Sequence, residues 1–376
     1  MSATESRPLR IVHLDTERGW RGGERQAFWL ARELARLGHH SVMAARDGGP
    51  LASAAQAAAL PVVPCAPLFS ADPVAAWRLR AFLARERIDL VHAHTANAVT
   101  LGALATAGTG AALVVTRRVD FPLNRGIGTR WKYARAVHVI AISHRVRDVL
   151  VESGVAPERV TIVPDGVDLE RASTPATRAR LARLGVRPGV PLVLMVAALV
   201  GHKDPLTFVQ AVAAARSAGA EFCALLVGDG FLLAEVRAEQ ERLGLAGTLF
   251  VAGWQDDADA LIAACDLFVL SSKEEGQGSV LLDAMQFGKA VAATRAGGIP
   301  DVVADGETGI LVAPRDPAAL GSAIARLCAD AALRERLGRA GAERVRAFSL
   351  AHTTAGTLAV YRKVLGAPRD AGRAGR

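Results

Sequence analysis

Residues 266–294 read DLFVLSSKEEGQGSVLLDAMQFGKAVAAT and contain the pattern that decides the fold class. Two short apolar segments, 267–270 and 290–294, flank a stretch in which apolar residues recur at helical spacing after Ser279. Two strands joined by one helix predict a parallel βαβ unit, because parallel strands need a long crossover connection. The predicted helix begins on a glycine-x-glycine turn and carries a single carboxylate, Asp283, in its second turn.

Strand and helix signals of the same kind alternate along the rest of the chain. Apolar strand segments form two series, one before residue 170 and one after residue 190, and helical segments lie between the strands of each series. This alternation predicts an α/β fold with two Rossmann-like, doubly wound domains. The predicted parts are an N-terminal domain at 1–170, a linker at 171–189, a C-terminal domain at 190–350, a last helix at 351–366 that can cross back, and a flexible tail at 367–376.

Ligands of doubly wound sheets bind outside the carboxyl ends of the strands. Two such edges that face each other form a cleft. We therefore expect the functional residues of both domains in the loops that follow strands, around a shared cleft.

Composition limits the class of protein. The chain has 376 residues and 51% of them are hydrophobic, which is enough for two cores and too many for a disordered segment. The longest apolar run, 190–200, is too short to span a bilayer, and the polar N-terminus lacks the apolar segment of a secretory signal. Four scattered cysteines form no CxxC pair and indicate free thiols in a reducing compartment. These features predict a cytoplasmic protein.

The net charge of +8 is unevenly distributed, because residues 1–168 carry 21 Lys and Arg against 15 Asp and Glu. A basic N-terminal half can contact an anionic membrane surface, a nucleic acid or an anionic substrate. An arginine-rich composition without any patch explains the same numbers. Both interpretations stay open, and a peripheral position at the inner face of the membrane is one expectation.

The turn before Ser279 predicts an anion site. A helix N-terminus exposes unpaired N–H groups and partial positive charge, and Gly278 lets the backbone approach an anion closely. Ser279 and Val280 then supply amides to that anion. Asp283 can accept hydrogen bonds from a ribose, and Glu275 can hold a second polyol. A diphosphate between two sugars fits this arrangement, although a strand–turn–helix segment with capping acids explains the spacing as well.

Six segments in the right order resemble motifs of the family 4 glycosyltransferases. EEGQGSVLLDAMQFGKAVAATRAGGIPDVV resembles the donor-site signature with its E-x7-E pattern and the loop that follows it. WRGGERQ resembles the glycine loop after the first strand, VHAHTANA the H-x-H segment, and VPDGVD the NGVD sequence at the domain junction. VAALVGHKDP resembles the strand that ends in a phosphate-binding lysine, and LVGDG the glycine turn of the second domain. The similarity covers roughly residues 9–350.

The resemblance implies the GT-B fold, a nucleoside diphosphate sugar as the donor, a glycan or lipid-linked acceptor of the cell envelope such as lipopolysaccharide, and retention of the anomeric configuration. It implies that His94 and Glu275 act on the transferred sugar. The donor-binding residues that it implies are Gly22, Gly23, Lys203, Gly228, Asp229, Gly278, Ser279, Val280 and Asp283.

Three positions depart from the family pattern. Asp165 occupies the place of the usual Asn. Asp283 occupies the place of the usual Glu and is one methylene shorter than that residue. Ala198 lies where an arginine is normally found, five residues before the lysine. We therefore expect Lys203 and the amides of 278–280 to meet most of the diphosphate charge.

His94 ends a strand of the first domain. The resemblance implies that it donates to a hydroxyl of the donor sugar or stabilises charge as the leaving group departs. A strand-end histidine that packs between the domains is the alternative. We expect His92 to lie on the opposite side of the strand and to be structural.

Two arginines, Arg117 and Arg118, follow a strand in a cleft-facing loop of the first domain. We predict that they bind an anionic acceptor such as a phosphate or a sugar acid. A solvated pair of arginines is the equal alternative. The segment 125–135 interleaves cations with Trp131 and Tyr133, which suits a membrane surface, a nucleic-acid stack or an ordinary helix that buries its aromatic rings.

No metal site is predicted. The segment DDAD at 256–259 contains the D-x-D pattern by which a different glycosyltransferase fold binds a metal and a nucleotide, but here Asp256 or Asp257 as the N-cap of a helix explains it. The amides of a helix N-terminus and a lysine can take over the role of a metal ion. We expect no cofactor.

Two other classes of function remain as alternatives. The first is a nucleotide-sugar epimerase on the same fold, although such epimerases lack the E-x7-E type of loop. The second is a basic module that binds nucleic acid, which would leave the paired cleft loops without a purpose. We expect no nucleic-acid partner.

Overall fold

The computed structural model describes residues 7–124, 126–171 and 174–366. The chain divides into two compact units. The first unit contains Met1–Asp165 and Leu350–Arg376, and the second contains Gly166–Ser349. The predicted tail at 367–376 lies outside the described residues.

The first unit is built on a seven-stranded parallel sheet with the order β3-β2-β1-β4-β5-β6-β7. Its strands are β1 (Arg10–Leu14), β2 (His40–Ala45), β3 (Val62–Pro64), β4 (Leu90–Ala93), β5 (Ala112–Arg117), β6 (His138–Ala141) and β7 (Val160–Ile162). Its helices are α1 (Gly22–Arg36), α2 (Pro50–Ala57), α3 (Pro73–Arg85), α4 (Ala96–Thr106), α5 (Ile127–Arg135), α6 (His144–Glu152) and, from the end of the chain, α15 (Leu350–Gly366).

The second unit is built on a six-stranded parallel sheet with the order β10-β9-β8-β11-β12-β13. Its strands are β8 (Leu192–Val196), β9 (Cys223–Val227), β10 (Leu249–Gly253), β11 (Leu267–Leu270), β12 (Ala290–Thr294) and β13 (Ile310–Val312). Its helices are α7 (Arg178–Arg183), α8 (Pro205–Ser217), α9 (Leu233–Arg242), α10 (Ala258–Ala264), α11 (Ser279–Gln286), α12 (Ile299–Val302), α13 (Pro317–Ala329) and α14 (Ala331–Arg344).

The predicted fold class is confirmed, because each unit is a doubly wound α/β domain. The strand order reverses between β1 and β4 in the first sheet and between β8 and β11 in the second. At such a reversal the loops that follow the two strands diverge to opposite faces of the sheet and open a crevice between them. These two crevices are the places where ligand sites are expected.

Capping residues set the helix starts that the sequence predicts. The carboxylate of Asp72 accepts hydrogen bonds from the amides of Val74 and Ala75, and Pro73 is the first residue of α3. Asp257 caps α10 by accepting from the amide of Ala260, so the D-x-D pattern has a structural explanation. The helix α1 begins at Gly22, and the side chain of Glu24 in its first turn accepts from the amide of Arg21 over 2.7 Å.

One face of the first sheet is covered by α15 together with α1. Tyr361 is fully buried, and Leu358 and Val364 of the same helix join a cluster with Ile11 and Leu90 of the sheet. Burying an aromatic side chain of this size contributes about 2 kcal/mol or more. The last helix of the chain is therefore part of the first unit's core.

The stretch predicted as a linker, 171–189, belongs to the second unit and contains α7. The amide of Ala176 donates to the carbonyl of Ala260 over 2.8 Å, and Val167 forms a β-bridge with Ser349. The boundaries between the units fall at 165/166 and 349/350 instead of at the predicted positions. Gly185, in the turn after α7, packs against the Phe250 ring of the second unit.

All four cysteines are free thiols, and Cys65, Cys223 and Cys265 are buried. Burial raises the pKa of the Cys265 thiol to about 12, which makes it unreactive at neutral pH. Within the described part of the chain, every helix is too short or too polar to cross a membrane.

Candidate active site

Lys203 lies in the loop after β8, one of the two strands at the reversal of the second sheet. The loop ends in a single 3₁₀ turn, after which Asp204 adopts a left-handed conformation with φ +48°. The hydroxyl of Ser271, which follows β11, lies within hydrogen-bond distance of the carbonyls of Lys203 (3.2 Å) and Asp204 (2.8 Å). The amide of Lys273 donates to the carbonyl of His202 over 2.9 Å. These bonds fix Lys203 against the loop that carries Glu275.

Glu275 forms an ion pair with Lys203 inside the second unit. The side chains are 11% and 21% exposed, so the pair is largely shielded from solvent. The hydroxyl of Ser272 donates to the same carboxylate oxygen over 3.1 Å, and the amide of Gly298 donates to the Glu275 carbonyl over 2.8 Å. The structure thus brings together a predicted phosphate-binding cation and the predicted catalytic carboxylate.

The helix α11 begins directly after Gly278, whose φ is +82°. An added Cβ here would be strained in this left-handed conformation, and it would meet Leu281 Cδ1 at 3.0 Å and Glu275 Cγ at 3.6 Å. Glycine has no side chain that could cap the helix, so the amides of Ser279 and Val280 are left to an outside acceptor. A phosphate beside Lys203 and Glu275 is such an acceptor.

Asp283 lies in α11 and is almost fully buried, with a side chain that is 3% exposed. Its Oδ1 accepts from Arg171 Nη2 over 2.6 Å, and Arg171 Nη1 also pairs with Asp259 Oδ2 at 3.0 Å. The side-chain Nε2 of Gln286 donates to the carbonyls of Asp168 and Arg171. The short acid at position 283 therefore fastens α11 to the segment at 168–171. A role in ribose binding stays a prediction.

Gly228 and Asp229 form a turn after β9. An added Cβ at Gly228, whose φ is +136°, would lie 1.9 Å from the carbonyl oxygen of Ala197, and one at Gly230 would lie 2.3 Å from that of Leu199. The amide of Leu199 donates to the carbonyl of Asp229 over 2.9 Å. The glycines are required here because two backbones touch, which gives this turn a structural reason independent of any donor.

Three histidines meet at the reversal of the first sheet. His13 and His92 are direct partners across β1 and β4, and His94 follows β4. The ring centroids of His92 and His94 are 4.1 Å apart. The expectation that His92 faces the opposite side is wrong, because residues two apart in a strand share one face. Both nitrogens of His92 contact hydroxyls, those of Tyr361 and Thr116, each over 2.6 Å, which supports its structural role.

His94 connects this cluster to Arg118. Its Nδ1 lies 3.2 Å from Arg118 Nη1, and its Nε2 lies 3.1 Å from His13 Nδ1. The side chain is 5% exposed. Burial lowers the pKa of His94 well below its ordinary value, and His92, Arg118 and His13 lower it further. His94 is therefore neutral at physiological pH.

Nitrogens of these three rings lie within 4.8 Å of one another, which is the spacing of a metal site. The guanidinium of Arg118 beside His94 opposes a cation, and the hydroxyl contacts occupy both nitrogens of His92. These contacts favour a hydrogen-bonded chain over a metal centre. The expected absence of a metal stays a prediction.

Arg118 is held by Asp165. Its Nε lies 3.1 Å from Oδ1 and 2.9 Å from Oδ2 of that carboxylate, and the side chains are only 13% and 6% exposed. Arg117 donates to the loop carbonyls of Val119 and Phe121. These contacts give both arginines a role within the first unit, and acceptor binding by them stays a prediction. Gly23 lies beside Arg118, because an added Cβ would be 3.8 Å from Arg118 Cδ.

A pocket of about 500 Å³ opens beside the glycine loop of the first unit. Its lining combines cations, acids and neutral polar groups from the loops after β1, β2 and β3 and from the start of α4. Arg46 connects two of these loops by donating to the carbonyls of Thr16 (2.8 Å) and Pro67 (3.1 Å). Its charged members are Glu17, Arg18, Arg21, Glu24 and Arg46. Gly22, the first residue of α1, directly follows Arg21 of this lining.

The predicted residues thus form one group in each unit. In the second unit Lys203, Glu275 and Gly278 lie together, and in the first unit His94 adjoins Arg118. Sequence reasoning missed the partners of these residues. They are His13, Asp165, Arg171 and Ser272. The substitution at position 165 was the one available signal, since an acid in place of an amide suggests a cationic partner.

Two family models match the chain. The model described as Glycosyl transferases group 1 matches residues 178–344, and the one described as Glycosyltransferase Family 4 matches residues 20–171. The first match includes every strand of the second sheet, β8–β13, and the other includes β2–β7 of the first sheet but not β1. Together they include all the predicted site residues.

Curated relatives agree with these matches. A 2-deoxystreptamine glucosyltransferase from Streptomyces kanamyceticus is 33% identical over 259 residues, which are 67% of this chain and 67% of that protein. A D-inositol 3-phosphate glycosyltransferase from Nocardia farcinica is 32% identical over 295 residues, which are 75% of this chain and 62% of that protein. The matched regions span about two thirds of the length of these relatives.

Solved structures share the fold. The crystal structure of Anabaena HepE in complex with UDP and glucose superposes with a TM-score of 0.82 at 21% identity and covers 94% of this chain and 100% of that one. At this identity the likeness concerns the fold alone. The two family matches, the curated relatives and the shared architecture lead to one assignment: the chain belongs to the family 4 glycosyltransferases, with the GT-B fold.

Proposed function

We propose that this glycosyltransferase moves a sugar from a nucleoside diphosphate sugar to a glycan or lipid-linked acceptor of the cell envelope, such as lipopolysaccharide, and retains the anomeric configuration. The observation that carries the proposal is the grouping of Lys203, Glu275 and the uncapped start of α11 at the reversal of the second sheet. A cation, free amides and a carboxylate are the three elements that a sugar diphosphate needs.

The donor diphosphate binds between Lys203 and the amides of Ser279 and Val280. Both elements favour negative charge, and neither requires a metal ion. When the phosphate takes the ammonium group of Lys203, Glu275 is released to accept hydrogen bonds from the hydroxyls of the transferred sugar. The helix dipole and Lys203 then stabilise the charge of the departing diphosphate.

The acceptor binds on the first unit, in the polar pocket beside the glycine loop. Three arginines and two glutamates among its charged lining suit a polyol that carries an anionic group. Arg46, already fixed by two carbonyls, offers a cation whose position is set in advance. Arg117 and Arg118, which the sequence predicts to bind an anionic acceptor, are not among the residues that line this pocket.

A position at the inner face of an anionic membrane would bring a lipid-linked acceptor to this pocket. Ile127 and Trp131 of α5 are 89% and 42% exposed, whereas Tyr133 is buried. Exposed apolar side chains among cations such as Lys132 and Arg135 suit a membrane interface. This surface supports peripheral contact with the membrane.

The epimerase and nucleic-acid alternatives lose support. Both family matches are to glycosyltransferases, and the polar groups of the described site serve a sugar diphosphate. The product distinguishes the two enzyme classes. A transferase releases the nucleoside diphosphate, whereas an epimerase gives back a nucleotide sugar.

The test is a panel of UDP-, GDP- and ADP-sugars offered to the purified full chain, with release of the nucleoside diphosphate as the measurement. One donor should support slow hydrolysis, and Glu275→Gln should lower its rate by roughly 10²–10³. NMR recorded before the released sugar mutarotates should show an anomeric configuration that matches the donor. Release from no member of the panel, or an inverted product, would overturn the proposal.

A further inference from the structure

The chain of contacts from Asp165 through Arg118 to His94 and His13 determines where the protons lie. A guanidinium can only donate, so Arg118 Nη1 donates to His94 Nδ1 over 3.2 Å. A neutral imidazole carries one proton, which in His94 must then be on Nε2. That proton is donated to His13 Nδ1 over 3.1 Å.

The same logic continues to His13. Because its Nδ1 accepts from His94, the proton of His13 lies on Nε2, which is buried and has no hydrogen-bond partner among the described residues. Each tautomer in the chain follows from the one before it. The single fixed point is Arg118, which cannot lose its proton.

Arg118 is in turn oriented by Asp165. The carboxylate accepts from Nε at both of its oxygens, which leaves Nη1 directed at His94. The family resemblance places Asn at position 165, but a neutral amide could not balance a guanidinium that is 13% exposed. The acid at this position is explained by the charge that it neutralises.

We infer that Arg118, held by Asp165, is a positioning residue that keeps His94 neutral with its ring proton on Nε2. This inference rests on the proposed function together with the role at the donor sugar that the family resemblance implies for His94. Nδ1 is blocked by the arginine, so the ring has a single proton to offer, and at rest His13 receives it. His94 then acts on a sugar hydroxyl as a neutral hydrogen-bond donor and does not become an imidazolium.

Every charged or titratable group that faces His94 among the described residues agrees with this assignment. His13 comes from β1, His92 from β4, and Arg118 from the loop after β5, and each lowers the pKa of His94. Asp165 compensates the charge of Arg118 and not that of the ring. A protonated His94 would place its Nδ1–H against the N–H of the guanidinium.

The direct test is ¹⁵N NMR of the histidine rings in the full chain, with the His94 and His13 signals assigned through His94→Gln and His13→Gln. In the parent protein the His94 ring should carry its proton on Nε2 and stay neutral from pH 8 to pH 5. In Arg118→Met the ring should exchange between tautomers and titrate at a higher pH. A proton on Nδ1 of the parent His94, or an unchanged signal in Arg118→Met, would overturn the inference.

Arg118→Met removes the ion pair of the buried Asp165 and can destabilise the first unit. The double variant Arg118→Met/Asp165→Asn removes both charges and restores the amide that the family pattern has at 165. It should fold and should show the same loss of tautomer control as the single variant. Arg7→Met is the matched control, because Arg7 pairs with Asp89 in the same unit away from the histidines. A double variant that folds and keeps the parent tautomer would contradict the role of Arg118.

Turnover gives a second readout. The double variant should lose at least about tenfold in kcat, because a ring in the wrong tautomer cannot donate, while KM for the donor stays within about twofold. Its kcat should fall below the new pKa of His94, whereas the parent shows no such acid limb. If the NMR result holds and His94→Gln turns over normally, the role of His94 in the proposed function is wrong. If turnover depends on His94 and the tautomer does not depend on Arg118, the present inference is wrong.

Discussion

Lys203 and Glu275 neutralise each other in the absence of a donor. Their ion pair lies at the reversal of the second sheet, and Ser272 donates to the same carboxylate oxygen. If the donor diphosphate binds Lys203 as proposed, it competes with Glu275 for one ammonium group. In this competition, donor binding breaks the ion pair and frees the carboxylate. Substitutions of Lys203 and Glu275 should therefore change the affinity for a nucleoside diphosphate in opposite directions.

Lys203→Ala should weaken the binding of a nucleoside diphosphate at least about tenfold, because a charge-assisted contact contributes ~1.5–3 kcal/mol. Isothermal titration calorimetry measures the change. Lys289→Ala is the control. Lys289 directly precedes β12, so it lies at the amino ends of the strands, whereas Lys203 follows the carboxyl end of β8. Equal affinity in the Lys203 variant and the parent would remove Lys203 from the donor site.

Glu275→Gln should lower turnover by roughly 10²–10³, as for the loss of one electrostatic contact at a reacting centre. The affinity for a nucleoside diphosphate should stay the same or rise, because the glutamine no longer holds the Lys203 ammonium. Any gain should vanish in Lys203→Ala/Glu275→Gln. Near-normal turnover, or a gain that persists in the double variant, would contradict the competition between carboxylate and phosphate.

Chelation should leave the reaction intact. The amides at the start of α11 and Lys203 supply the positive charge, and the D-x-D pattern serves as the cap of α10. Turnover should be the same before and after EDTA treatment followed by gel filtration. Loss of activity in EDTA that manganese restores would show that a divalent ion takes part.

The role of Asp283 in ribose binding is tested by comparing nucleotides with and without a ribose hydroxyl. A loss of stability on substitution would not report ribose binding, because Asp283 is buried against Arg171. If it accepts hydrogen bonds from the ribose, the parent protein should bind a 2′-deoxynucleoside diphosphate about tenfold more weakly than the ribonucleotide. In Asp283→Asn this difference should shrink. The same ratio of affinities in both proteins would leave Asp283 with its structural role alone.

The free energy of unfolding of the first unit should decrease as the pH falls below 6.5. Burial lowers the pKa of His138 to about 4, with smaller effects of Lys363 and Arg159. Unfolding restores the ordinary value of 6.5, so the unfolded chain binds an extra proton between these limits and gains stability as the pH falls. His138→Gln, which can keep the bond to Thr161, should show a shallower loss in urea denaturation from pH 6.5 to 4.

The control for this experiment is His144→Gln at an exposed position. It should lose stability with the parent's slope as the pH falls. If His138→Gln and the parent lose stability with the same dependence on pH, other groups cause the acid sensitivity. The buried His13, His92 and His94 are then the first candidates.

Local signals and topology predicted the fold and the grouping of Lys203 with Glu275, while the function of these residues stays a prediction. Asp72 and Asp257 cap helices because the cap and its amides are within three residues of each other, and Gly278 starts α11 for the same local reason. The grouping of Lys203 with Glu275 followed from the rule that ligands bind after the strands at a reversal. Both kinds of prediction need only sequence neighbours and topology.

Contacts between distant segments could not be predicted. Arg118 is 47 residues from Asp165, and Arg171 is 112 residues from Asp283. Arginine is frequent in this chain, so no single one stands out as a partner. The sequence of α4 also gives little helical signal, because its alanines and glycine leave no polar face. Gly102 leaves room for Leu113, whose Cδ1 would lie 2.9 Å from an added Cβ.

The return of α15 to the first unit has a consequence for synthesis. A ribosome completes β1–β7 about two hundred residues before it reaches α15, while the second unit, Gly166–Ser349, is one uninterrupted stretch. The second unit can therefore complete its fold during synthesis before the first unit can, which is the reverse of the usual order. Until Tyr361 and its neighbours emerge, the part of the first sheet that α15 covers stays exposed. A stop codon just before residue 350 would spare the second unit and leave the first one unfinished.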